Sequence, residues 1–173
     1  MKNPLKKEYL NQYKKSAGGG YEFTGTYYVY AGENFRAQLL RIAALAVAIT
    51  VAVIGSGCLS AGGMRNSFYV ILPFIAEVSA LFALLWSSVK LFSKGERVKE
   101  YIYKVTYPRL PRICIALAVC AGVSLICSVI FIILNGAEGG VAKCVIYNGL
   151  KAVIIALSLL YRALILKTTY VVR

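Results

Sequence analysis

ICIALAVCAGVSLICSVIFIILNGA (Ile113–Ala137) is a run of 25 residues without a charge, closed by Arg112 on one side and Glu138 on the other. At ~1.5 Å of rise per residue, one helix of this length covers the roughly 30 Å hydrocarbon core of a bilayer. Three more segments have the same character: Leu39–Leu59, Phe68–Leu91 and Cys144–Leu166. Lys151 and Arg162 interrupt the last of them, but Val153–Leu160 is strongly apolar and the length suffices. With 59% hydrophobic residues in 173, the chain lies outside the soluble range. It has room for one membrane domain and little else. The expected fold is an all-α integral membrane protein with four transmembrane helices, about 39–59, 68–91, 113–134 and 144–166. A basic, Tyr-rich N-terminal segment (1–38) precedes this four-helix membrane domain (39–167), and a short tail (168–173) follows it.

The run Val53-Ile-Gly-Ser-Gly-Cys58 loosely resembles a lipoprotein cleavage site. About forty residues precede the apolar segment, however, far more than the basic region of a signal peptide. The segment is expected to be a retained helix.

The net charge of +13 is unevenly placed. Residues 1–41 carry seven Lys/Arg against three Glu, and Lys90–Arg112 carry seven against two. Arg162, Lys167 and Arg173 charge the end of the chain, whereas the other two connections hold only Arg65 and Lys143. The positive-inside rule then puts both termini and the central loop in the cytoplasm, as four spans require. The expected location is the plasma membrane, and the expected contacts are anionic lipid headgroups. Nucleic acid is a poor partner, because these charges lie against the membrane rather than on a separate domain.

The five cysteines, Cys58, Cys114, Cys120, Cys127 and Cys144, form no C-x-x-C. Cys120 and Cys127 read as small apolar fillers. Cys58 and Cys144 both fall near the outer boundary, where a disulfide is conceivable.

Outside the spans, Met1–Ala17 puts Leu5, Tyr9, Leu10 and Tyr13 on one helical face, which suits an amphipathic surface helix or an unstructured terminus. Gly18-Gly-Gly20 ends any such helix. Tyr21–Tyr30, Tyr101–Tyr107 and Thr168–Val172 are rich in strand-favouring residues. They could pair into a small sheet, but an aromatic belt at the headgroups is the expected outcome. A short interfacial helix before Pro108 and Pro111 is the alternative for 94–107. Arg41-Ile-Ala-Ala-Leu-Ala-Val47 also resembles Arg112-Ile-Cys-Ile-Ala-Leu-Ala-Val119 with one insertion, a faint hairpin repeat.

The chain has no His and no Asp. That excludes Ser-His catalysis, Asp-rich magnesium sites and ordinary zinc sites. No Gly-rich phosphate loop follows a strand. A non-enzymatic protein without cofactor or metal is expected.

Glu77 and Lys151 form the sharpest constellation. Glu77 lies nine residues past Phe68 and Lys151 eight past Lys143, so both sit ~12–14 Å deep in helices of the same direction. An unpaired charge there is expensive, which makes an ion pair the economical arrangement. Tyr147 and Asn148 share the Lys151 face, completing an intramembrane polar cluster. Pro73, one turn outward from Glu77, leaves the Tyr69 carbonyl without its helical donor. The cluster is expected to fix helix register; the alternative is a site for an ion, proton or small solute. A helix-packing ridge is expected where small residues recur every four positions: Ala44, Ala48, Ala52 and Ser56, and Ala116, Cys120, Ser124 and Ser128. Ser79, Ala83 and Ser87 repeat that spacing in the second span. The expected function is helix-mediated association, as a homo-oligomer or an accessory subunit of a membrane-protein partner. The alternative is a small oligomeric transporter or channel-like protein that uses the Glu/Lys site.

Overall fold

The computed structural model describes residues 13–15, 21–23, 26–32, 34–59, 67–93, 95–136 and 140–172. Four helices are long and apolar enough to cross a membrane: α1 (Phe35–Cys58), α2 (Phe68–Phe92), α4 (Arg109–Asn135) and α5 (Val141–Lys167). At 24 to 27 residues they are ~36–40 Å long, one to five residues longer than the apolar segments that define them. The extra length takes in residues such as Arg36, Gln38 and Arg109, which a helix tolerates past the edge of an apolar core. A fifth, short helix, α3 (Glu100–Thr106), precedes α4. It ends before Pro108, as an interfacial helix in 94–107 would.

The four long helices form an up-and-down bundle in the ring order α1, α2, α4, α5. Pairs α4–α5, α2–α4 and α5–α1 pack along their length, and α1 and α2 meet least. The core positions follow one rule. In α5 they are Cys144, Tyr147, Lys151, Ile154, Ser158, Tyr161 and Ile165, steps of three and four that sum to a heptad. Those of α4, from Leu110 and Cys114 through Ser124, Ser128 and Phe131, repeat it. This is the seam of left-handed helix packing.

The expected ridge departs from that seam. Ala52, Ser56, Ser124 and Ser128 are buried, but Ala44 and Ala116 are exposed and Ala48 and Cys120 only half-buried. Ser79 and Ala83 are exposed too. A spacing of four drifts about 40° per step around a helix of 3.6 residues per turn, so a four-membered row cannot stay inside.

Burial is inverted relative to a water-soluble bundle. Glu77, Lys151, Ser56, Ser88, Ser124, Ser128 and Ser158 are buried, while Trp86 is 67% exposed and Ile133 76%. Such a surface suits hydrocarbon rather than water.

One end of the bundle carries a three-stranded antiparallel sheet. Its central strand, β3 (Tyr27–Tyr30), pairs with β4 (Arg97–Lys99) on one side and β5 (Tyr170–Val172) on the other. Tyr28 faces Val98 and Val172, and Tyr30 faces Tyr170. Strand pairing, not merely a belt of tyrosines, therefore joins the three connections at this end. The central loop contributes Arg97–Lys99 rather than Tyr101–Tyr107, which is helical. Tyr28 stacks on Tyr103 at 4.2 Å, Tyr103 on Tyr107 at 4.8 Å, and Tyr30 meets Phe35 and Tyr170 edge-on. The Tyr107 hydroxyl donates to the carbonyls of Ile165 and Thr168, and Gln38 donates to Thr168 Oγ1 at 3.1 Å, tying α1 to the end of α5.

Two more strands, β1 (Tyr13–Lys15) and β2 (Tyr21–Phe23), pair antiparallel. A surface helix through Ala17 is thus overturned at residues 13–15, where backbone pairing with the β-favouring Tyr21–Phe23 is available. Residues 1–12 and Gly18-Gly-Gly20 lie outside the described residues. Cys58 is exposed and Cys144 buried, and no disulfide joins the two.

Candidate functional site

Glu77 reaches the bundle interior from α2 and Lys151 from α5, helices on opposite corners of the ring. Both side chains are 0% exposed, and Lys151 Nζ lies 2.7 Å from Glu77 Oε2. The ammonium also donates to Ser56 Oγ on α1 at 3.2 Å, and the Ser56 hydroxyl in turn donates to the Val53 carbonyl. Two aromatic faces complete the surroundings, Phe74 at 4.8 Å and Tyr147 at 5.0 Å from Nζ. Cation–π contacts of this kind strengthen when water is excluded. Lys151 is thus held by three helices, and Glu77 Oε1 is buried without a hydrogen-bond partner.

Among the predicted cluster residues, Tyr147 joins the pair, its hydroxyl 3.2 Å from Ser124 Oγ on α4. Asn148 does not. One position on, it turns towards α4, where its side-chain oxygen bonds the Ser128 hydroxyl. The three serines credited to a packing ridge, Ser56, Ser124 and Ser128, thus serve as hydrogen-bond partners of α5.

A second diagonal link lies nearer the sheet. Ser88 Oγ on α2 and the Tyr161 hydroxyl on α5 are 2.6 Å apart and buried. Ser88 spends its proton on the Leu84 carbonyl, so Tyr161 is the donor. Sequence reasoning missed this pair, because lone Ser and Tyr residues are ordinary in an apolar helix. The available signal was spacing: Tyr161 follows Tyr147 by two heptads, and Ser158 follows Lys151 by one.

Among the described residues, two crevices lie on the open α1/α2 side. The one at the end away from the sheet, about 290 Å³, is lined by Ser56, Gly57, Leu59, Val70, Ile71, Phe74 and Tyr147. The one nearer the sheet, about 240 Å³, has Ala43, Ala46, Val47, Leu85, Val89 and Phe92 in its walls and reaches Ser88 and Tyr161. No group of His, Cys, Asp or Glu among the described residues is arranged to hold a metal.

Fold and site define a four-helix bundle suited to a membrane, with a polar core fastened by a diagonal ion pair. Comparison with protein-family models, curated proteins and solved structures finds no match for the chain.

Proposed function

We propose that this is a non-enzymatic, four-span protein of the plasma membrane that works by lateral association with another membrane helix. Both termini and the sheet lie on the cytoplasmic side, where seventeen of the 20 basic residues meet anionic headgroups. The observation that carries the reading is the α1/α2 side, the one neighbouring pair that the bundle leaves open. Its crevice near the sheet presents the small side chains of Ala43 and Ala46 between the rims Val47, Leu85 and Val89. Exposed Ala44 adjoins it. Small residues let a second helix approach closely, and packing then drives association without a hydrophobic gain. The Glu77–Lys151 pair supports the same reading, since a neutral pair fixes the bundle's register without any substrate.

A photo-crosslinking residue at Val47 tests the association in native membranes. A crosslink to one defined membrane polypeptide, or to a second copy, is expected, and Ala43→Phe should abolish it. Adducts to lipid alone would refute the reading. The second reading, a small transporter using Glu77, is favoured by the unpartnered Oε1. Proton flux in proteoliposomes that Glu77→Gln abolishes would select it.

A further inference from the structure

We propose that the crevice away from the sheet binds a neutral amphiphile, with a hydroxyl head on the Glu77–Lys151 pair and an apolar chain between α1 and α2. This binding does not depend on the association proposed above. Ser56, Phe74 and Tyr147 line the crevice, and all three touch the Lys151 ammonium. The crevice therefore ends on the first neighbours of the ion pair.

The pair has hydrogen-bonding capacity left over. An ammonium carries three N–H donors, of which Glu77 Oε2 and Ser56 Oγ take two. The third is left with aromatic ring faces. Glu77 Oε1 is a buried acceptor without a partner. One unused donor and one unused acceptor, on a pair of zero net charge, suit a group that both accepts and donates. A hydroxyl does both. A cation would meet Lys151 and an anion Glu77 in a site closed to water, where uncompensated charge is costly.

The walls decide what the hydroxyl is attached to. Leu59, Val70, Ile71 and Phe74 offer no charge. The lining residue Ile71 is exposed, as are Ile54, Phe68 and Leu72 near the lining in sequence, so a chain leaving the crevice passes onto apolar side chains. About 290 Å³ is at the small end of ligand sites, enough for a head and the first part of a chain. Phe74 stands between the crevice and the ammonium, and its ring lies against Gly57, where a Cβ would come within 2.8 Å of Cζ. The lack of a side chain at 57 gives that ring its place.

The test uses the full chain in phosphatidylcholine nanodiscs and four diazirine probes of equal chain length. Their heads are a primary alcohol, its methyl ether, a carboxylate and a trimethylammonium. Saturable adducts on Leu59, Val70 or Ile71 are expected for the alcohol, at roughly tenfold lower concentration than for the ether, the worth of about one buried hydrogen bond. Ile71→Trp, which fills the crevice from a wall position, should remove them without lowering the melting temperature. Equal labelling by alcohol and ether would overturn head recognition. A preference for carboxylate or trimethylammonium would overturn the neutral-pair argument, and adducts indifferent to Ile71→Trp would overturn the location.

Discussion

At the scale of single residues, the molecule depends on a charge pair that no water screens. Desolvating two ions is costly, and their attraction repays it only when both remain. Glu77→Gln or Lys151→Met alone should therefore destabilise the bundle by ~3–5 kcal/mol, read as a lower melting temperature in detergent. The double replacement should recover much of that loss, because it leaves no orphan charge. Strictly additive losses would show that the pair carries no coupling. The pairing was readable in the sequence, because two lone opposite charges at matched depth in apolar helices have few other partners. The share of Ser56 was not, since a serine four residues past an alanine looks like packing. Nor was the turn of Asn148 towards Ser128, because about 100° separates neighbours on a helix and Asn148 sits beside the face that Lys151 occupies.

At the scale of elements, the four long helices were legible from length and apolarity alone, but not the face that each turns inward. Their outer faces are as apolar as their inner ones, so hydrophobicity carries no phase. The few polar residues carry it instead, at heptad steps. Ala121 sits on the seam of α4 with 0% exposure, whereas Ala116 is exposed. Ala121→Leu should then overpack the core by ~1–3 kcal/mol, and Ala116→Leu should leave the melting temperature nearly unchanged. Equal effects would mean that the seam is misplaced. The sheet was harder to read, since its strands are three or four residues long and the partners of the central strand lie about 70 and about 140 residues away. Its tyrosines offer their own handle. Burial raises the Tyr170 hydroxyl above the ordinary value of 10, helped by Tyr103, Tyr107 and Tyr30, and burial likewise raises Tyr103 and Tyr107. A raised folded pKa means that the neutral phenol favours folding. That stabilisation is complete below pH 10 and falls away as the pH climbs through the raised values. Tyrosinate absorbance from Tyr103, Tyr107 and Tyr170 should therefore appear above pH 10, with the sheet loosening as it does. A single phase near pH 10 would show that the cluster is not protected.

At the scale of the whole molecule, the sheet and the charge distribution constrain each other. Strand pairing of 27–30 with 97–99 and 170–172 puts the N-terminal segment, the central loop and the tail at one end of the bundle, whatever membrane surrounds it. The basic residues concentrate in those same three segments, while Arg65 and Lys143 are the only ones in the other two connections. Geometry thus puts the three segments on one side, and the proposed cytoplasmic orientation of that side rests on charge. The two arguments are independent, because backbone pairing knows nothing of Lys and Arg on the neighbouring helix ends. Single cysteines at Gly62 and Gly139, in a cysteine-free background, should react with a membrane-impermeant maleimide added to intact cells. A cysteine at Ser93, exposed at the end of α2, should react only after the cells are opened. Labelling of Ser93 alone in sealed cells would invert the orientation and leave the fold untouched. Labelling at both ends would mean a mixed population, in which the charge bias is too weak to orient the bundle.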